Sequence, residues 1–257
     1  NDPQQTLAGF YEPDDSQIVP VADFLPDIDQ ALAYATTNNF TQKQIYAFSE
    51  AFLRYGTLQK LANVQEALEQ QGYTLKIWDA YRPVSAQWAL WNAYPDPNYV
   101  SNPANSASAH CRGNTVDVTL VKVNGEEVPM PSGFDNFTAL ADRDYSDCTD
   151  EAAANAKLLE TIMEANGFRG YQKEWWHYTD TDSYPVEDTF DPAPRSWWLP
   201  ECNEFISLRE APSVQAAVLE KIPVGDRFLM LALDEEYAFV NYKGRYGYVL
   251  QSYIKQE

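Results

Sequence analysis

Only two histidines occur in the 257 residues of the chain, and each stands in a stretch that carries other metal-binding groups. The first lies in Ser108-Ala109-His110-Cys111-Arg112-Gly113-Asn114-Thr115-Val116-Asp117, the second in Glu174-Trp175-Trp176-His177. His110 and Asp117 offer a nitrogen and an oxygen donor on either side of Gly113, where the backbone is free to turn and bring both towards one point. His177 completes a three-ligand set if the fold carries it to the same place. Three protein ligands and one open position form the arrangement of catalytic zinc, which lowers the pKa of its bound water to about 7. Glu174, three residues before a ligand, is the expected general base, within one water of the metal. Cys111 is not expected as a fourth ligand, because adjacent side chains on an extended segment point to opposite sides.

The surrounding pattern places these groups on elements. From Gln42 to Gln71 the apolar residues Ile45, Phe48, Phe52, Leu58, Leu61, Val64 and Leu68 recur mostly at three- and four-residue steps, which predicts a helix stopped at Gly72. Tyr73 to Asp79 then alternates as a strand, Arg82 follows just past its end, and Val84 to Tyr94 reads as a second helix. A cation at Arg82 is placed to stabilise the oxyanion that forms when a peptide carbonyl is attacked. The Pro-, Asn- and Ser-rich loop 95–107 delivers the histidine stretch, after which Val116 to Val121 alternates as a strand with Asp117, Thr119 and Val121 on one face. Asn124-Gly125 signals a hairpin turn, and a loop at 129–137 holds Asp135. Asp150 to Asn166 reads as a helix and Phe168 to Thr179 as an aromatic strand. Strict alternation would put Glu174 and His177 on opposite faces, so a bulge or sharp twist is predicted between them.

Tyr34-Ala35-Thr36-x-x-Asn39-Phe40, Trp78-Asp79-x-Tyr81-Arg82-Pro83, the serine-histidine-aspartate stretch, Phe134-Asp135 and Glu174-Trp175-Trp176-His177-Tyr178 occur in one order. Together they resemble the zinc D-alanyl-D-alanine dipeptidases of the VanX type, and more broadly the zinc D-Ala-D-Ala peptidases, over about residues 34–192. The resemblance implies an α+β fold with a central antiparallel sheet flanked by helices. It implies one zinc ion on His110, Asp117 and His177, with Glu174 as general base and Arg82 as stabiliser of the transition state. It further implies that Tyr34, Ser108 and Asp135 bind substrate, Asp135 at the ammonium end. A carboxylate there favours free dipeptides, because only they offer a positive charge at that position. Thr115 and Cys111 depart from the alanine and serine usual in the family.

Beyond residue 190 the pattern changes. The segment 191–202, with Pro192, Pro194, Pro200 and two tryptophans, reads as a linker that packs on something. Short alternating segments follow at 204–209, 216–222, 227–233, 236–242 and 245–250, a small all-β barrel. Leu208-Arg209-x-x-Pro212-Ser213, Val224-Gly225, Gly247-Tyr248-Val249 and Tyr253-Ile254 resemble bacterial SH3-like domains. The expected organisation is an extended N-terminal arm at 1–26, a catalytic domain at 27–190, the linker at 191–202 and the SH3-like domain at 203–257. A formal charge of −20 argues against nucleic acid and anionic membranes as partners. No apolar run is long enough to span a membrane. A start at Asn1 suggests a processed bacterial protein, secreted or wall-associated. Cys148 and Cys202 either pair, leaving Cys111 free, or all three are thiols. The expected activity is hydrolysis of D-alanyl-D-alanine. Its rivals are a D,D-carboxypeptidase or endopeptidase acting on peptidoglycan stem peptides, and a wall-peptide binding protein with a vestigial site.

Overall fold

The computed structural model describes residues 9–10, 13–190, 192, 196–233 and 236–257. Much of the N-terminal arm ahead of Pro13, and Pro194 of the linker, lie outside the described residues. The chain forms two compact units, one of Asn1–Pro13 with Ala193–Glu257 and one of Asp14–Pro192. The first strand, Gly9–Phe10 (β1), belongs to the former. Residues 14–26 belong to the latter unit, where Ile18–Pro20 (β2) pairs antiparallel with Phe52–Arg54 (β4).

The larger unit is a five-stranded sheet with helices. Its strands are Asp29–Gln30 (β3), Tyr73–Asp79 (β5), Thr115–Lys122 (β6), Phe168–Tyr171 (β7) and Glu174–Asp180 (β8), in the order β3-β5-β6-β8-β7. The sheet is not wholly antiparallel as expected. The two-residue edge strand β3 runs parallel to β5, while every other pairing is antiparallel. The helices are Tyr55–Glu69 (α1), Val84–Ala93 (α2) and Asp150–Ala165 (α3). Helix α3 starts where the Thr149 hydroxyl accepts from Ala152 N–H, with Asp150 and Glu151 in the positive first turn.

Helix α1 is half the length that the apolar spacing predicts. Residues 42–51 are irregular, and β4 intervenes before the helix begins. The apolar steps at Ile45, Phe48 and Phe52 arise from packing rather than helical winding. The N–H groups of Ile45 and Tyr46 both donate to the Tyr34 carbonyl, and Phe48 stacks on Tyr46 with 4.6 Å between centroids. Inside α1 the spacing is genuine: Leu58, Leu61, Val64 and Leu68 are fully buried with Leu75 and Ile77 of β5, Val116 and Val118 of β6, and Leu159 and Met163 of α3. Strand β6 is buried along nearly its whole length, so both faces of the sheet are covered at its centre.

The run 168–179 is two strands rather than one, turning at Gln172-Lys173. The smaller unit is all-β and antiparallel, with Trp197–Pro200 (β9), Phe205–Arg209 (β10), Val218–Pro223 (β11), Phe228–Leu233 (β12), Tyr237–Tyr242 (β13), Arg245–Leu250 (β14) and Ile254–Gln256 (β15). Its order is β11-β10-β14-β13-β12-β9-β15, with β1 also on β14. Strand β9 lies within the segment read as linker; it pairs with β12 and β15, Trp198 packs against the core of this unit, and the Arg227 guanidinium lies 4.3 Å from the Trp197 ring. The core of this unit gathers Ile206, Leu208, Ile222, Phe228, Val240 and Val249. Cys111, Cys148 and Cys202 are all free. Among the described residues no helix is long and apolar enough to cross a membrane.

Leu61 faces the core from the middle of α1 with no exposure. Leu61→Ala is expected to lower unfolding stability by about 2–5 kcal/mol, read as a lower urea midpoint at unchanged slope.

Candidate metal centre

Three elements converge on one point. Asp117 on β6 stands directly opposite His177 on β8 in the antiparallel register. His110 arrives from a 3-10 turn, Ala109–Arg112, which Gly113 ends at φ +74°, a left-handed value that glycine adopts without strain. The segment is a turn, not the extended stretch that the sequence suggested. Cys111 is buried there, outside the cluster of His110, Asp117 and His177.

The donor atoms are close. His110 Nε2 lies 3.3 Å from Asp117 Oδ2 and 3.3 Å from His177 Nδ1, and His177 Nδ1 lies 3.1 Å from Asp117 Oδ1. His110 Nδ1–H donates to the Ala80 carbonyl at 2.8 Å, which fixes the tautomer and leaves the Nε2 lone pair facing the cluster. His177 turns Nε2 towards Thr179 Oγ1 at 3.3 Å, and Thr179 Oγ1 meets Thr115 Oγ1 at 3.1 Å. Thr115, where the resemblance leads one to expect alanine, thus supports the threonine behind a candidate ligand.

These donors fit a cation. Asp117 Oδ1 is buried without a hydrogen bond, a state that costs free energy unless a positive charge answers it. Burial pushes the Asp117 carboxyl up, but the facing imidazoles of His110 and His177 hold it well below the usual range. Two nitrogens and a carboxylate, with Glu174 Oε2 at 3.5 Å from His177 Nδ1, are the donor set expected of a zinc site with an adjacent base. Burial raises the Glu174 carboxyl to about 7, against the pull of His177 and with the push of Asp117 and Asp135. A bound cation adds a lowering influence.

The site opens into a cavity of about 240 Å³, whose lining includes every residue expected from the sequence: Tyr34, Arg82, Ser108, His110, Asp117, Asp135, Glu174 and His177. Arg82 is buried, and burial opposes its charge, but Asp79 beside it holds the guanidinium cationic. Its Nε donates to Asp79 Oδ2 at 3.0 Å and its Nη1 to Gln87 Oε1 at 2.7 Å, while Tyr46 O–H donates to Asp79 Oδ1 at 2.7 Å. The Tyr34 ring sits 5.2 Å from the guanidinium carbon, and its hydroxyl donates to Asp135 Oδ2 at 3.0 Å. Asp135 adopts φ +54°, a left-handed value that aspartate tolerates better than most residues. Burial and the Asp117 charge raise its carboxyl to about 7, with Tyr34 and Arg82 opposing. Asp135 and Phe40 also line a second cavity, of about 700 Å³, together with Trp78, Phe134, Lys76 and Glu127.

Sequence reasoning did not single out Asp79, Gln87, Thr179 or the aromatic wall of Tyr99, Phe137 and Tyr171. Asp79 lay inside a quoted motif, so its signal was present. The predicted break between Glu174 and His177 has a structural counterpart: β7 pairs Gly170 with Tyr178 and Tyr171 with Glu174, so Trp175, Trp176 and His177 face no β7 residue. Both tryptophans are buried in succession, and strand alternation is lost there.

A family model described as D-ala-D-ala dipeptidase matches residues 14–195. A D-alanyl-D-alanine dipeptidase of Escherichia coli is 35% identical over 67% of this chain and 90% of its own length. Those of Enterococcus faecium and Streptomyces coelicolor are 34% and 33% identical, over 62% and 61% of this chain and 88% and 87% of their own lengths.

Gel-filtered chain loaded with zinc is expected to retain a single ion by atomic emission. Asp117→Ala and His110→Ala are each expected to lower metal affinity by at least about 100-fold, since either leaves two of three donors.

Proposed function

This chain belongs to the D-Ala-D-Ala dipeptidase family, and from that membership we propose that it hydrolyses D-alanyl-D-alanine to D-alanine as a zinc enzyme. The observation that carries the zinc reading is the meeting of His110 Nε2, Asp117 and His177 Nδ1 beside Glu174 in a mostly buried pocket. When bound to those three residues, zinc supplies Lewis acidity and a water of lowered pKa.

The chain's own groups do the rest. Glu174 takes a proton from the attacking water and later gives it to the leaving amine. Its carboxylate faces the pocket 3.5 Å from His177 Nδ1, where it reaches a water beside the three donors in both directions of transfer. Arg82, held in place by Asp79 and Gln87 before any substrate arrives, faces the pocket as a fixed cation for the oxyanion. Asp135, steadied by Tyr34, receives the substrate ammonium, and Ser108 offers a hydroxyl from the lining. A carboxylate at the amino end selects against acylated, longer peptides, which bring no charge there to neutralise it. That argument favours the dipeptidase over a carboxypeptidase or endopeptidase of stem peptides. An intact donor set with its base also argues against a vestigial site.

The all-β unit is, in this reading, an SH3-like module that binds peptidoglycan peptides. Its support is the short strands at the predicted spacing and the Leu208-Arg209, Val224-Gly225 and Gly247-Tyr248-Val249 motifs. A wall-associated, secreted location accords with such a module.

Two variants test the roles. Glu174→Ala is expected to lower kcat for D-alanyl-D-alanine by about 10²–10⁴-fold with zinc content unchanged; loss of zinc would make Glu174 a ligand and overturn its role as base. Asp135→Ala is expected to cut kcat/KM for the dipeptide at least about 100-fold, the scale of a lost charged pair. The same variant is expected to lose most of the preference for the dipeptide over a stem pentapeptide with the same C-terminal pair. Unchanged dipeptide cleavage would remove Asp135 from the ammonium site.

A further inference from the structure

Where the β7–β8 pairing breaks, the backbone loses the ladder partners that a strand normally supplies. Buried carbonyls without partners are costly, so something must take their place. Arg143, 8% exposed, does so. Its Nη2 donates to the carbonyls of Trp175 and His177, at 3.0 Å each, and its Nε donates to that of Tyr171 at 2.9 Å. Its Nη1 donates to Tyr178 O–H at 3.1 Å, and its own N–H donates to the Gln172 carbonyl at 3.1 Å. One guanidinium therefore holds both sides of the hairpin at the break.

The surroundings are built for it. Glu160 Oε1 lies 3.3 Å from Nη1 and balances the charge, and Tyr145 O–H donates to the other Glu160 oxygen at 2.9 Å. The Tyr178 ring lies 4.4 Å from the guanidinium carbon. Gly170 leaves the room: a Cβ there would overlap the guanidinium. Lysine cannot replace this fork, because one ammonium does not span three carbonyls in a plane.

We propose that Arg143 is a positioning residue, whose guanidinium replaces the missing β-ladder between β7 and β8 and so holds Glu174 and His177 on one side of the strand. The inference rests on the reading of those two residues as base and ligand. Arg143 is not among the residues lining the pocket and acts through the carbonyls of Trp175 and His177. Its loss should therefore affect turnover more than substrate affinity.

The test uses the full chain and its small histidine count. With two histidines, a long-range ¹H–¹⁵N spectrum of the metal-free protein contains two imidazole systems, assigned with His177→Gln. In Arg143→Ala the His177 resonances are expected to move while those of His110 stay. With zinc restored, kcat for D-alanyl-D-alanine is expected to fall about 10–100-fold, as for other residues that orient ligands, with KM changed by less than about threefold. Millimolar guanidinium is expected to restore part of the loss in Arg143→Ala but none in Glu174→Ala, and Arg143→Lys is expected to behave as Arg143→Ala does. Unmoved His177 resonances, an unchanged kcat, or shifts of both histidines without rescue by guanidinium would each overturn the proposal. Should Arg143→Ala fail to fold, Gly170→Ala, which displaces the same guanidinium, carries the same readouts. Wild-type chain inactive on the dipeptide would sink the functional reading alone, since the histidine spectra still decide the role of Arg143.

Discussion

The register of β6 against β8 is the constraint on which the site depends. It sets Asp117 opposite His177, so two of the three donors face each other as a cross-strand pair before any ion is involved. Because β6 is covered on both faces, its register is pinned by Val116, Val118 and Leu120 in the core. A slip of one residue would send Asp117 to the opposite face and bury the wrong side chains. The third donor needs no strand. The turn at 109–112 sits against the sheet because Arg54 N–H donates to the Gly113 carbonyl and Arg82 N–H to the His110 carbonyl, at 2.7 and 3.2 Å. Hydrophobic burial thus sets the site's position, and backbone hydrogen bonds set its aim.

A second tier of polar contacts makes the charges tolerable. Asp79 and Arg82 are both buried, and a buried pair is stable only when its remaining lone pairs and protons are met. Tyr46, Gln87 and the Ser101 carbonyl that accepts from Gln87 meet them. Tyr34 then joins the two ends of the pocket, with its ring against Arg82 and its hydroxyl on Asp135. A change at either end reaches the other through one aromatic side chain, so pocket residues are not expected to contribute independently.

Much of this was legible in the chain. Strands β5 and β6, helices α2 and α3, and five strands of the all-β unit lie where alternation and turn signals place them, because each buries a regular face. The donors were legible because so few histidines leave little choice. Residues 42–54 misled because their apolar spacing serves an irregular aromatic cluster, and spacing alone cannot tell a wound helix from a loop packed at the same intervals. The short strands β3, β9 and β15 draw their definition from partners distant in sequence, which no local pattern records. Arg143 was invisible for a related reason. The partners that matter for the hairpin are backbone carbonyls, and every residue carries one. The sole trace in the sequence is Gly170 in the middle of a strand, a position where glycine marks the close approach of another group.

Asp135 and Phe40 border both the cavity at the donor cluster and the larger second one. Both side chains therefore shape two cavities at once. A substitution at either position alters both cavities while His110, Asp117, His177 and the sheet stay in place. Pocket shape in such a molecule belongs to two loops distant in sequence, held apart from the donor cluster and free to vary without it.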